Sequence, residues 1–234
     1  MLPRFQTRRT SIDGVRHYSC DGHLLPSVTA VLSETEDKSW LVAWRERIGH
    51  AEADRISSEA SALGTRTHSL VENYLLEQHG HKQLSLLELP QEGGSPSAQE
   101  DQALLGAFKP FLDEVEEVLL LEGTVWWTDQ RGKGFAGSFD ALLRWQGRLV
   151  VVDWKTTRKQ KNRGDWGKAF AQCSAYSQAI QQRYGLEVEG GLVVSVNRGN
   201  LRRDVHQVET DELGLYWEAF LNRLDAYERG LVIA

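Results

Sequence analysis

The sequence predicts an α/β fold in which helices flank a mixed central β-sheet and a further helical part precedes it. Beyond residue 117, apolar segments follow in the order strand, strand, strand, helix, strand, strand, helix, which is typical of such a sheet. Before residue 117, most apolar residues recur at helical spacing. We therefore expect an N-terminal arm and helical part over residues 1–117 and an α/β core over residues 118–234, forming one compact unit.

The N-terminal arm is expected to form a small β-hairpin over about residues 10–25. Turn signals occur there at Asp13-Gly14 and at Asp21-Gly22. Ser27 follows, and serine is a residue type that caps helices, so a short helix is expected directly after it.

Four further helices are predicted in the N-terminal part. Gly64-Thr65 is expected to separate the second from the third, and Pro110 to kink or split the fourth. The helices are predicted over residues 37–48, 51–63, 65–78 and 98–117, with a polar loop over residues 79–97.

The core is expected to begin with a strand over residues 118–127 that contains Glu122. A buried carboxylate needs a partner, so Glu122 either joins a metal site or pairs with a basic side chain. Two strands joined at Gln146-Gly147 then occupy residues 135–156. The remaining elements are a helix over residues 166–184, strands over 191–197 and 206–209, and a helix over 210–229.

The second strand of this pair ends in Asp153-Trp154-Lys155. Because strand side chains alternate, Asp153 and Lys155 should point to one face and Trp154 to the other. Asp140 lies late in the partner strand and can come level with them. Neighbouring carboxylates repel, and a hard divalent cation such as Mg²⁺, Mn²⁺ or Ca²⁺ relieves that repulsion. On the spacing alone, a plain ion pair at the end of a hairpin is the open alternative.

Three further patterns have both a chemical and an ordinary interpretation. His68 and Glu72 lie four apart on a predicted helix, where they can bind one cation or form a surface pair. Gln172 and Tyr176 are spaced in the same way on a later helix, where they can equally be ordinary polar residues. The basic run over residues 158–163 can hold phosphates or be a solvated loop.

Composition narrows the classes of protein. The formal net charge of -6 argues against nonspecific coating of nucleic acid but permits a local basic groove. The two cysteines, Cys20 and Cys173, lie too far apart for a zinc ribbon, and a disulfide framework or an iron–sulfur cluster is not expected. No membrane span and no secretory signal peptide are expected either. A reducing compartment fits best, and we expect a cytoplasmic protein of bacterial or phage type.

The motifs occur in an order that resembles the PD-(D/E)xK nuclease superfamily, and within it the RecB-like exonuclease branch. They are G-T-R-T-H at 64–68 with Glu72, then Glu122, G-S-F-D at 137–140, D-W-K at 153–155 and Q-C-S-A-Y at 172–176. The stretch L-P-S-V-T-A-V-L and the sequence D-W-K-T are also similar to the mitochondrial genome maintenance exonucleases and their bacterial and phage relatives.

The resemblance implies a restriction-endonuclease-like core and a role for each motif residue. Asp140 and Asp153 would bind Mg²⁺ or Mn²⁺, aided by His68 and by the backbone carbonyl of Trp154. Lys155 would orient or activate water. In supporting positions, Glu122 would lie beside the metal, Gln172 and Tyr176 would shape the site, and Glu72 would support His68. The candidate phosphate contacts are Arg66, Arg158, Lys159 and Lys161.

The function implied is that of a metal-dependent DNA exonuclease acting on single strands or DNA ends, in repair, replication or recombination. The sequence departs from the family pattern in having G-S-F-D where Pro-Asp is common, and in lacking the four cysteines that hold an iron–sulfur cluster in some relatives. No phosphate-binding G-x-x-x-x-G-K-[ST] motif occurs, so no nucleotide cofactor is expected. The alternatives are an inactive nucleic-acid-binding or scaffolding subunit with the same fold, and a structure-specific endonuclease.

Overall fold

The structure is a computed structural model that describes residues 1–80 and 96–232. The loop predicted over residues 79–97 therefore lies for the most part outside the described residues. The described strands are β1 (Arg8–Ile12), β2 (Val15–Cys20), β3 (His23–Pro26), β4 (Val115–Thr128), β5 (Gly134–Trp145), β6 (Arg148–Thr157), β7 (Gly190–Asn197) and β8 (Arg203–Glu209). The described helices are α1 (Val28–Glu34), α2 (Ser39–Ile48), α3 (His50–Gln78), α4 (Pro96–Leu112), α5 (Gly167–Tyr184) and α6 (Thr210–Glu228).

The central sheet has the order β4-β5-β6-β7-β8, and β6 and β7 are its parallel pair while the other pairs are antiparallel. The crossover between β6 and β7 carries α5, as a parallel connection requires. One apolar cluster joins the sheet to α3 and α4, and another joins it to α1, α5 and α6. The predicted mixed sheet flanked by helices is confirmed, and both central strands are buried along most of their length.

Helix α3 runs without a break from His50 to Gln78, so the separation predicted at Gly64-Thr65 is wrong. A glycine within a helix costs only about 1 kcal/mol relative to alanine. On this helix Leu63 and Val71 are buried on either side of Gly64, and burying one such side chain contributes about 1.5–3 kcal/mol. Tertiary packing therefore outweighs the local preference, and it places His68 well inside a long helix.

Helix α4 ends at Leu112, and β4 begins at Val115, so the helix predicted to residue 117 is too long. Pro110 does not split the helix but lies in its last turn. Val115 is already paired with Trp145 of β5, and this pairing extends β4 beyond its predicted start. Strand β8 is likewise longer than predicted, because Arg203 already pairs with Val196 of β7.

The N-terminal arm forms a three-stranded meander, β1-β2-β3, where a single hairpin was expected. Both predicted turns exist. Asp13 and Gly14, and likewise Asp21 and Gly22, have positive φ values, as the tightest hairpin turns require. On one face of the meander, Tyr18, Cys20 and Leu25 pack against Trp126 and Ala136 of the central sheet. The meander therefore lies over β4 and β5.

Candidate active site

A cavity of about 320 Å³ lies where β4, β5 and β6 meet α3 and α5. Its lining includes the acidic and basic residues that the motifs predict: His68, Glu122, Asp140, Asp153 and Lys155. The volume falls within the range typical of ligand sites in proteins.

The three acids come from adjacent strands. Leu121 pairs with Ala141 and Gly123 with Phe139, so Glu122 lies beside Asp140. Ala141 pairs with Val152, and Asp140 and Asp153 are the next residues along these two strands beyond the last paired position. Side chains opposite each other on paired strands share a face. Glu122, Asp140 and Asp153 therefore form one row across β4, β5 and β6.

At the end of β6 the predicted alternation is observed. Lys155 Nζ donates to Asp153 Oδ1 at 2.6 Å, and Trp154 is buried on the opposite face against Phe108 and Phe111. Asp153 is only 4% exposed, and its Oδ2 has no hydrogen-bond partner among the described residues. A buried carboxylate oxygen without a partner is costly, so this atom fits the role of a ligand to a cation.

Asp140 is held in place from the backbone of β6. Its Oδ2 accepts a hydrogen bond from the Trp154 backbone N–H at 2.8 Å, and its side chain is 9% exposed. Burial and then the charge of Asp153 raise the pKa of Asp140 to about 7, although His68 and Lys155 act in the opposite direction. The carboxylate is thus poorly compensated.

His68 reaches this row of acids from α3. Its Nε2 lies 3.1 Å from the carbonyl oxygen of Trp154, and its Nδ1 lies 3.5 Å from both Glu122 Oε1 and Asp140 Oδ1. Burial acts to lower the pKa of His68, but the hydrogen bond with Glu122 and the charge of Asp140 outweigh it and raise that pKa. The imidazole therefore bridges the helical part and the sheet.

Glu122 lies in the acidic group, and its Oε1 is also 3.5 Å from the basic side chain of His68, so its role in binding metal stays a prediction. Its φ of 47° lies in the left-handed region, which is uncommon for a residue with a side chain. Ligand atoms of His68, Glu122 and Asp140 lie within 4.8 Å of one another. Asp153, which the resemblance implies as a ligand, is not part of this trio but lines the same cavity, and its role as a ligand stays a prediction.

The donor set fits a hard divalent cation. It offers carboxylate oxygens and one imidazole, which suit Mg²⁺ or Mn²⁺. The unpartnered Asp153 Oδ2 and the raised pKa of Asp140 both indicate negative charge that lacks compensation. A cation among these side chains would supply that compensation.

Gln172 and Tyr176 of α5 line the same cavity. Burial and then the charge of Asp140 raise the pKa of Tyr176 well above its usual range. The tyrosine hydroxyl approaches β5 so closely that a Cβ on Gly137 would lie 2.8 Å from it. This contact explains why the motif G-S-F-D begins with glycine.

The four basic residues predicted to contact phosphate lie outside the cavity lining. Arg66 contacts Glu100 and Asp101 at 3.1 and 3.2 Å, and Arg158 lies 3.8 Å from Glu59. Lys161 lies 4.6 Å from the centre of the Trp166 ring, and Lys159 is exposed without an ion pair among the described residues. Their role in binding phosphate stays a prediction.

Glu72 lies one helical turn beyond His68 and is partly buried. Burial and then the charge of Glu122 raise its pKa. The charge of Glu122 therefore affects the pKa of Glu72, although Glu72 does not line the cavity.

Sequence reasoning missed Arg9 and Arg16, which line the cavity from the meander together with the hydroxyl-bearing residues Ser27 and Thr29. The alternation of Arg16, Tyr18 and Cys20 along β2 could have indicated that Arg16 shares a face with two buried residues. The position of that face over β5 could not be read in the same way.

Comparison with known proteins identifies the family. Residues 39–228 match the PD-(D/E)XK nuclease superfamily, which is more than half of the chain. The chain belongs to this superfamily. The resemblance inferred from the motif order is thereby confirmed, and members of the PD-(D/E)XK superfamily generally use divalent metals.

Two relatives illustrate the similarity within the PD-(D/E)XK superfamily. Mitochondrial genome maintenance exonuclease 1 of Mus musculus is 26% identical over 212 residues, covering 87% of this chain and 59% of the relative. The Homo sapiens protein of the same name is 27% identical over 216 residues, covering 88% and 58% respectively. The chain thus spans about three fifths of the length of these relatives.

A crystal structure of a candidate exonuclease from Eubacterium rectale aligns with a TM-score of 0.47 at 10% identity, covering 74% of this chain and 69% of that one. Within residues 1–80 and 96–232, no helix is both long and apolar enough to cross a membrane.

Proposed function

We propose that this chain is a divalent-metal-dependent deoxyribonuclease, and specifically an exonuclease that acts on single-stranded DNA or DNA ends in repair, replication or recombination. One observation carries the proposal: a single cavity combines three acids with His68 and Lys155, and a buried oxygen of Asp153 has no hydrogen-bond partner in the described part of the chain. Membership of the nuclease superfamily and similarity to proteins named exonucleases support it.

In this proposal His68, Glu122, Asp140 and Asp153 hold Mg²⁺ or Mn²⁺, and the carbonyl oxygen of Trp154 is a further candidate ligand. The cation would supply a water of lowered pKa and would offset the negative charge that develops on the phosphate. Because Asp140 Oδ2 accepts from the Trp154 N–H and His68 contacts the Trp154 carbonyl, both groups are positioned by the backbone of β6.

Lys155 acts in this proposal as a fixed cation and hydrogen-bond donor. Burial acts to lower its pKa, but the carboxylates of Asp153 and Asp140 outweigh burial and hold that pKa above its ordinary value. A protonated ammonium cannot accept a proton, so Lys155 orients the attacking water or stabilises a phosphoryl oxygen. The water oxygen forms a bond to phosphorus, the phosphorus–oxygen bond to the leaving nucleotide breaks, and that oxygen takes up a proton.

In this proposal the preference for DNA ends depends on the helical part of the chain. In this proposal residues 1–117 and 118–234 work as one unit, which is supported by the contact of His68 on α3 with Trp154 on β6. A helical part that arches over the cavity would admit a single strand and exclude a duplex. The cytoplasmic location expected from the sequence stays a prediction.

Digestion of end-labelled DNA tests this proposal. Single-stranded and double-stranded substrates, linear and circular, are incubated with the chain in Mg²⁺, in Mn²⁺ or in EDTA. We expect stepwise shortening of linear single strands, intact circles, and no cleavage in EDTA. Cleavage of circles would indicate the endonuclease instead, and binding without cleavage in either metal would indicate the inactive subunit.

A further inference from the structure

Two arginines of the N-terminal meander face the acidic cavity. Arg9 is paired with Tyr18, and Tyr18 with Leu25, so these three side chains share one face of the meander. Arg16 lies two residues before Tyr18 on the same strand and therefore points the same way. Tyr18 and Leu25 on this face pack against the central sheet. The two arginines on the same face therefore lie beside the cavity, and both line it.

The guanidinium groups of Arg9 and Arg16 form no hydrogen bond and no ion pair within residues 1–80 and 96–232, and both side chains are exposed. By contrast, Arg66 and Arg158 contact carboxylates. Guanidiniums in this position, beside a cavity that also holds carboxylates, are able to bind an anionic ligand that lies between them and the acids.

The arginines also lie where the acidic cavity continues outwards. A neighbouring cavity of about 370 Å³ is lined by both Arg9 and Arg16 along the β1–β2 turn. A further cavity of about 260 Å³ shares Arg16, Ser27 and Thr29 with the acidic one. A chain of linked anions that enters the acidic cavity can therefore extend past the arginines.

We infer that Arg9 and Arg16 form a site for a phosphate of the DNA backbone next to the phosphate that is attacked. The inference rests on the proposed nuclease function and adds a substrate site to it. Guanidiniums bind phosphate oxygens in bidentate fashion, and Thr29, whose hydroxyl is hydrogen-bonded to that of Ser27 at 3.1 Å, can donate to the same group. The meander would thus hold the strand while the sheet carries out hydrolysis.

Binding in EDTA tests this site without cleavage. Affinity for a labelled single-stranded oligonucleotide is measured over a range of salt concentrations for Arg9→Ala, Arg16→Ala and the control Arg8→Ala. Arg8 is the matched control because it is an exposed arginine next to Arg9 on β1, and its side chain points to the opposite face of the meander. We expect each cavity variant to weaken binding about five- to tenfold and to reduce the salt slope by about 0.7, as loss of one phosphate contact to a single strand does.

Arg16→Lys keeps the charge and should retain the wild-type slope, which separates loss of a phosphate contact from misfolding. Equal slopes for wild type, Arg9→Ala and Arg16→Ala would overturn the site, as would absence of DNA binding by the wild-type chain. An Arg8→Ala effect as large as that of the cavity variants would also overturn it.

A substrate with one phosphate separates this inference from the proposed function. We expect Arg9→Ala and Arg16→Ala to lose more activity on DNA, through a higher KM, than on bis(p-nitrophenyl) phosphate in Mn²⁺. A parallel loss on both substrates would overturn the assignment to a neighbouring phosphate. A wild-type chain that hydrolyses neither substrate would end the nuclease proposal, and the salt slopes would still decide the phosphate site.

Discussion

Arg4 donates a hydrogen bond from Nη1 to the backbone carbonyl of Glu122 at 3.0 Å, and a second from Nη2 to the carbonyl of Leu121 at 2.7 Å. Glu122 is the residue of β4 that adopts a left-handed backbone conformation, with φ of 47°. Such a conformation costs about 1–3 kcal/mol in a residue with a side chain and needs support from its surroundings. Arg4 provides such support next to the point where the Glu122 carboxylate meets His68.

Arg4→Ala should therefore slow DNA cleavage more than it destabilises the fold. We expect a rate about tenfold lower, with a thermal midpoint only about 2–4 °C lower, because one of the two hydrogen bonds is exposed and the partly buried one contributes about 1 kcal/mol. Single-turnover cleavage and thermal unfolding measure the two effects. Arg8→Ala serves as the control, and a wild-type cleavage rate in Arg4→Ala would show that the backbone of Glu122 needs no such support.

Asp153→Ala and Lys155→Ala should each abolish DNA cleavage. Each change removes a charged group that lines the acidic cavity. Losing one donor that stabilises transition-state charge, the role proposed for Lys155, typically costs about 10²–10³ in rate. Lys155→Ala should also lower stability in EDTA, because it leaves the buried Asp153 carboxylate without its 2.6 Å partner.

The double variant Asp153→Asn with Lys155→Met removes both charges and should recover that stability without recovering activity. Lys133→Ala is the matched control, because Lys133 pairs with Asp225 and Glu228 of α6 and does not line the cavity. Cleavage retained in Asp153→Ala or Lys155→Ala would refute the site assignment.

Asp140 should make the stability of the metal-free chain fall as pH rises. Its pKa is raised to about 7 in the folded chain from an ordinary 3.8, so the folded state binds the proton more tightly. Stability from this group is present at low pH and is lost as pH rises towards 7. His68, whose pKa is also raised, changes stability in the same direction as pH rises through its folded value.

Thermal unfolding in EDTA between about pH 4.5 and 8 checks this prediction against Asp140→Asn, which cannot ionise. The wild-type midpoint should drop relative to the variant by several degrees, because about 1 kcal/mol corresponds to about 2–4 °C in a chain of this size. Asp37→Asn is the control, because the pKa of Asp37 is lowered by hydrogen bonds from Ser39. Parallel pH profiles for wild type and Asp140→Asn would contradict the raised pKa.

Gly137→Ala should destabilise the chain by pressing on Tyr176. The added Cβ would lie 2.8 Å from the tyrosine hydroxyl oxygen, closer than real Cβ contacts come, and 3.1 Å from Cε1, which is tighter than most such contacts. Such overpacking costs about 1–3 kcal/mol, so the midpoint should fall by several degrees. Tyr176→Phe added to Gly137→Ala should recover part of the loss.

The control is Gly64→Ala, because a Cβ there meets nothing within 4 Å and alanine is the better helix former. It should leave stability unchanged or raise it by about 1 kcal/mol. A Gly137→Ala midpoint as high as that of Gly64→Ala would mean that Tyr176 moves aside without cost.

The features that follow from local rules could be predicted from the sequence. Alternation along β6 was sufficient to place Asp153 and Lys155 on one face and Trp154 in the core, because that strand is apolar on both faces. The helix separation predicted at Gly64 and the split predicted at Pro110 were wrong, because packing in the folded chain competes with local propensity. The left-handed Glu122 could not be predicted either, since glutamate carries no local preference for that conformation.

Arg9 and Arg16 show a second limit of sequence reasoning. Their strand and their face can be read from alternation, but their position beside the acids depends on how the meander packs against Trp126 and Ala136. The roles assigned to them, and to the predicted site residues, await the experiments above.

The candidate ligands His68, Glu122 and Asp140 come from α3, β4 and β5, which are far apart along the chain. An unfolded polypeptide cannot bring the three together, so a cation at this position would bind the native state alone. At a concentration one hundred times its Kd it would raise the free energy of unfolding by about 2.7 kcal/mol. Resistance of the native chain to heat and to proteases would then depend on divalent metal, so chelators would weaken the whole domain and not only its catalysis.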